Sequence, residues 1–203
     1  MSGNDLSLLT FPGQSLGLAA NVGQGNIPTR SNLLSGILGS LQDASAALTS
    51  GDLTYVPVAV NIGDPIQTVT VQVGATAAST PTHSWAALYS GVLTTAKILG
   101  TQSTDGATTA IGASSQLAFT VGKYIIQPGD APYGYILVGL SVTASTVPSL
   151  MSGTVPTAIQ KAWSANVPLL GAVYSSALGA AAPATITLAS ASAQATAPIV
   201  FLT

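Results

Sequence analysis

The chain has no cysteine and no glutamate, and charge of either sign is scarce. Its 203 residues include 4 Lys+Arg and 6 acidic side chains, so 5% are charged, against roughly a quarter in an average globular domain. Each absence excludes something. Without cysteine there is no disulfide, no thiolate nucleophile and no thiolate metal ligand, and either redox compartment is tolerated. Arg30, Lys97, Lys123 and Lys161 are scattered and the formal net charge is -2. No cationic stripe exists to track phosphates, which argues against nucleic acid as a partner. No run approaches the roughly 18 consecutive apolar residues of a spanning helix. The most apolar stretch, residues 135–142, is interrupted by Gly139 and Ser141. The first residues carry Asp5 and no Lys or Arg, which is not a secretory-signal pattern.

What is present is apolar and small. The hydrophobic fraction is 47%, too high for a disordered chain. Ser, Thr, Gln, Asn, Ala and Gly must therefore cover the surface. Free cytosolic monomers keep soluble with charge, so this exterior suits a protein whose surface is taken up by neighbours or displayed outside cells.

The central region reads as consecutive antiparallel strands. In Thr68-Val69-Thr70-Val71-Gln72-Val73 the valines alternate with polar residues, which gives one buried face. Trp85, Ala87 and Tyr89 share one face of the next run, and Ala86 and Leu88 the other. Leu117, Phe119 and Val121 alternate again, and residues 135–142 are apolar at nearly every position, as in a strand covered on both sides. Pro57 lacks a ladder donor and is expected at a sheet edge. Residues 100–115 read as a long loop of small residues, with Asp105-Gly106 as a turn pair. The closing Pro198-Ile199-Val200-Phe201-Leu202 is expected to return and complete a sheet. The fold class expected is mainly β, an antiparallel, jelly-roll-like β-sandwich over residues 51–203.

Residues 1–50 are expected to be an extended arm and one short α-helix. The arm carries Leu6, Leu9 and Phe11 between Gly and Pro breaks. It reads either as a disordered tail or as an arm lying on another subunit, and the density of Leu and Phe points to the arm. Residues 31–49 carry the helical spacing Leu33, Ile37, Leu41, Ala44, Leu48, with Ser31 able to cap. Gly36 and Gly39 weaken that helix. The stripe suits packing on its own domain or a seam around a symmetry axis. Leu6, Leu9, Phe11, Leu33, Ile37 and Leu41 are the expected interface anchors.

The chemistry-bearing inventory is thin. His83 is the single histidine, and Ser84 beside it points to the opposite face of a strand. No nucleophile elbow is present. All six Asp fall in turn, cap or loop contexts, where a carboxylate normally binds its own backbone. No Asp-x-Asp cluster supports calcium, and Gly23-Gln24-Gly25 lacks the strand and Lys of a phosphate loop. No catalytic set, no cofactor and no metal site is expected. Tyr133 and Tyr135, two apart on one face, could stack on a sugar, although buried aromatics are the plainer reading of the Tyr and Trp set.

Several segments together carry a resemblance. They are Val71-Gln72-Val73-Gly74, residues 82–89 around Trp85, and residues 98–105 (Ile98-Leu99-Gly100-Thr101-Gln102-Ser103-Thr104-Asp105). Residues 135–142, Thr146-Val147-Pro148-Ser149-Leu150 and the closing Pro198-Ile199-Val200-Phe201-Leu202 complete the set. The pattern resembles β-sandwich domains in virion structural proteins of tailed bacteriophages, particularly of actinobacterial hosts. These are minor tail, head-fibre and capsid-decoration proteins. The similarity spans residues 65–203. It implies a non-enzymatic accessory protein on the surface of a virion assembled in the host cytoplasm. The expected role is a capsid decoration, minor capsid or head-fibre protein attached through its arm. Its expected partners are the major capsid protein or other virion proteins and further copies of itself, with a trimer expected. The alternative is a minor tail or tail-fibre protein that binds host-surface glycans through Tyr133, Tyr135 and the loop near 103–115.

Overall fold

A computed structural model of the chain describes residues 30–31, 41–154, 172–174 and 177–203, with 30–31 and 41–47 described by backbone pairing alone. The chain is mainly β and its sheets are antiparallel and strongly curled. The strands are β1 (Arg30–Ser31), β2 (Leu41–Ala47), β3 (Leu53–Ala59), β4 (Pro65–Gln72) and β5 (His83–Tyr89). Next come β6 (Thr95–Leu99), β7 (Gln116–Ile125), β8 (Tyr135–Thr143) and β9 (Ser149–Thr154). The last are β10 (Ala172–Tyr174), β11 (Thr185–Thr187), β12 (Ser192–Ala193), β13 (Thr196–Pro198) and β14 (Val200–Leu202). Among the described residues the helical content is one 3-10 turn, Leu188–Ser190.

Three sheets result. A four-stranded sheet runs β1-β14-β4-β7, a seven-stranded sheet β11-β6-β5-β8-β3-β10-β12, and a small one β13-β9-β2. The first core lies between the two larger sheets. Val69, Val71 and Val73 from the alternating run meet Ala86, Leu88, Ile136, Val138 and Leu140 there. The other face of the seven-stranded sheet carries a second core with Trp85, Ala87, Tyr89, Tyr55 and Leu137. β8 is therefore buried on both faces, as its unbroken apolar run requires. Gly139 fits that strand because a Cβ there would lie 2.7 Å from Leu53 Cδ1 and 3.0 Å from Tyr89 Cε2.

The chain's last third covers the second core. Leu178, Ala182, Ile186 and Leu188 pack on it. Trp85 Nε1–H donates to the Gly179 carbonyl at 2.8 Å and the Tyr89 hydroxyl to the Pro183 carbonyl at 3.0 Å. A buried indole contributes about 4–6 kcal/mol before ordering entropy is subtracted, and these bonds keep its polar atom satisfied.

Two expectations are corrected. The helix expected over residues 31–49 is not formed at its C-terminal end: residues 41–47 are strand β2, paired with β9 from Leu41↔Gly153 to Ala47↔Ser149. Ser and Asp in this stretch favour helix only weakly. β9 offers backbone partners at both ends of the segment, on either side of a bulge between Gln42 and Ala46, and such tertiary pairing outweighs propensity. Residues 32–40, with Leu33 and Ile37, lie outside the described residues.

Pro57 is not on an outermost strand, since β3 sits between β8 and β10. The register explains why it is tolerated. Val60 N–H bonds the Gly134 carbonyl, and Val58↔Ile136 continues that ladder. Alternation then turns the Pro57 nitrogen away from β8, and the described pairing with β10 stops at Tyr55. Among the described residues, the proline therefore faces no ladder partner. The closing strand meets its expectation: β14 inserts between β1 and β4.

Candidate functional site

The most developed polar cluster is a corner beside β5. β6 pairs with β5 at Leu88↔Leu99 and Tyr89↔Ile98. Beyond Leu99 the chain leaves strand geometry but stays alongside β5. Ser103 N–H donates to the Ala86 carbonyl at 2.9 Å, and the Ser103 hydroxyl accepts from Ala86 N–H at 2.9 Å. One turn later, Ser84 N–H donates to Asp105 Oδ1 at 2.9 Å and Gly106 N–H to the Ser84 carbonyl at 2.7 Å. Two side chains, Ser103 and Asp105, thus stand in for the carbonyls of a missing strand.

Asp105 also receives Ala107 N–H at 3.0 Å and His83 Nδ1–H at 2.7 Å. Burial raises its carboxyl, but the bonds from His83, Ala107 and Ser84 outweigh that and hold it below the usual carboxylate value. An ionised carboxylate only accepts, so His83 presents Nδ1–H to it and keeps Nε2 free of this contact. The arrangement orients an imidazole as catalytic dyads do. The adjoining hydroxyl, Ser84, belongs to the next residue of the same strand.

Asp64 and Asp130 act on their own turns. Asp64 Oδ2 accepts Asn61 N–H at 2.8 Å. Asp130 Oδ2 accepts Gln127 N–H and the Tyr124 hydroxyl, both at 2.8 Å. Burial and then that carboxylate push the Tyr124 hydroxyl up to about 12. Among the described residues no group of three or more His or Asp could hold a metal ion.

The Tyr133 and Tyr135 pair lies at one end of the body. Their rings stack with centroids 6.4 Å apart and planes 22° apart. Tyr133 is 60% exposed, and Ile62 and Ile125 are the other exposed large hydrophobics of the described residues. All three belong to the same end, because Gly63 N–H bonds the Ile126 carbonyl and Val60 N–H the Gly134 carbonyl. Tyr135 is half-buried, and burial together with Tyr133 pushes its hydroxyl up to about 12.

Of the expected interface anchors, Leu6, Leu9, Phe11, Leu33 and Ile37 lie outside the described residues, and Leu41 opens β2. β1 and β2 both pair with strands that come after residue 51. The sequence reading missed the His83–Asp105 clamp. Its signal was the Asp105-Gly106 turn pair, but 22 residues separate the partners and no local spacing joins them.

No protein-family model matches this chain, and a search of the curated proteins returns no match.

Proposed function

We propose that this chain is a non-enzymatic structural protein of a bacteriophage virion, a capsid decoration or minor capsid protein held to the particle by its leading segment. The observation that supports this reading is the contrast between that segment and the body. Between Leu6 and Thr29 there is no charged residue, while Leu recurs and Phe11 adds an aromatic ring. In the body, Asp64, Asp105 and Asp130 are engaged by turn backbone and neighbouring side chains. Ordering about 25 residues costs roughly 25–50 kcal/mol, which about 1,000–2,000 Å2 of buried apolar surface offsets. That area is the size of a specific protein–protein interface. Such a segment gains nothing in solvent and a great deal on a neighbour.

The test is a deletion of residues 1–29, which keeps β1 and β2 in their sheets. The shortened protein is expected to fold and to be lost from purified particles. Incorporation at the parent's level would defeat the reading.

A second reading has its own observation. The exposed Tyr133 ring, backed by Tyr135, offers a flat face of the kind that stacks on sugars. A tail or tail-fibre protein would use it on host-surface glycans. Binding on a glycan array that is lost in Tyr133→Ala supports this, and an array without signal rejects it.

A further inference from the structure

Two strand edges face each other across a cleft of about 320 Å3. One wall is β5 with its companion loop, through Ser84, Thr104, Gly106, Thr109 and Ile111. The other is residues 117–120 of β7, the last strand of the four-stranded sheet. The β5 wall is closed by the bonds from Ser103, Asp105 and Gly106. The β7 wall is open. Val73 N–H bonds the Ser115 carbonyl, and the register continues as Val71↔Leu117 and Val69↔Phe119. Alternation turns the peptide groups of Leu117 and Phe119 toward β4 and those of Ala118 and Thr120 out into the cleft. Ala118 and Thr120 are exposed, and among the described residues their backbone groups have no partner. The open run ends where the Thr101 hydroxyl donates to the Val121 carbonyl.

Natural sheets blunt such edges with Lys, Pro or a covering loop. Here residues 116–121 hold neither Lys nor Pro, and the loop stands off by the width of the cleft. We propose that the β7 edge accepts, as an added strand, part of the leading segment of a second copy of this chain. The lining carries no charged side chain, and neither does the stretch from Leu6 to Thr29. The leading region already supplies a strand to this same sheet, since β1 pairs on β14. β1 holds the opposite edge of that sheet, with β14 and β4 between it and β7, and a donor from another copy makes the pairing depend on concentration. Backbone ladder bonds give the affinity and the small neutral lining admits uncharged side chains.

This inference rests on reading the leading segment as the attaching part. The test uses the full chain. Sedimentation velocity is expected to show concentration-dependent self-association, weakened at least tenfold by Thr120→Lys and by Ala118→Pro, with circular dichroism unchanged. Should Ala118→Pro fail to fold, Thr120→Lys alone carries the test. The amides of Ala118 and Thr120 are expected to exchange at least tenfold more slowly in the associated form, and an excess of a synthetic peptide of residues 6–18 to release it. A chain that stays monomeric, association untouched by Thr120→Lys, or protection independent of concentration overturns the proposal. If the 1–29 deletion is lost from particles while Thr120→Lys is incorporated and self-associates normally, the attachment reading stands and this inference falls.

Discussion

The edges of β5 and β7 border the same cleft and have had opposite fates. The β5 edge is completed from within the chain by a loop that is not a strand, using a serine hydroxyl, an aspartate carboxylate and two loop amides. The β7 edge, equally rich in β-forming residues, keeps Ala118 and Thr120 facing outward. A strand edge needs partners, and a strand is only one way to supply them. Where side chains can substitute, the edge is sealed and becomes core wall. Where they cannot, the edge remains a template.

Substitutions can break or sharpen this contrast. The largest effect is expected at Gly106, where a Cβ would lie 2.2 Å from Ser84 Oγ. Gly106→Ala should push the loop off β5 and destabilise the fold by up to about 3 kcal/mol, read by chemical denaturation. A cost below about 0.5 kcal/mol, the level of an ordinary surface change, would mean that the loop is not seated as described. Ser103 is 2% exposed, and Ser103→Ala strands the buried Ala86 N–H. About 2 kcal/mol should be lost, with amide exchange at Ala86 accelerated. If Ala86 stays protected, another group closes that edge.

Asp105→Asn keeps the shape and removes the charge. Because the carboxylate is partly solvated, about 1 kcal/mol is expected at neutral pH. The folded-state value of Asp105 lies below its unfolded value, so its contribution is complete above the usual carboxylate range and is lost as pH falls through it. Melting temperatures of parent and variant should therefore differ at pH 6 and converge toward pH 2. A gap that persists in acid would show that the charge is not its source. The smallest effect belongs to the open edge: Thr120→Lys should change stability by no more than about 0.5 kcal/mol. A large loss there would reveal that the β7 edge is already paired.

Much of this body was legible residue by residue. The alternation of Val69, Val71 and Val73, and the split of β5 into an Ala86/Leu88 face and a Trp85/Ala87/Tyr89 face, reappear as the two cores. Period-2 patterning reports burial directly, because adjacent side chains on a strand cannot share a face. The candidate site was less legible. Tyr133 and Tyr135 stack across the turn that leads into β8, with Gly134 between them at positive φ, while His83 and Asp105 meet only through the path of a loop. Ala180-Ala181-Ala182-Pro183 carries no strand pattern, yet Ala182 packs on the second core and the Pro183 carbonyl accepts the Tyr89 hydroxyl.

By itself the sequence determined the β class, the strands β4, β5, β7 and β8 and which of their side chains face inward. These follow from local repetition and from a composition too apolar to stay unfolded. Only the tertiary structure decided that residues 41–47 join β9 instead of coiling, that the Pro57 nitrogen turns away from β8, and that β5 is sealed while β7 is not. Each of those outcomes turns on which backbone donors and acceptors are left over after distant segments pair, and leftover hydrogen-bonding capacity is a property of the assembled sheets, not of any stretch of residues.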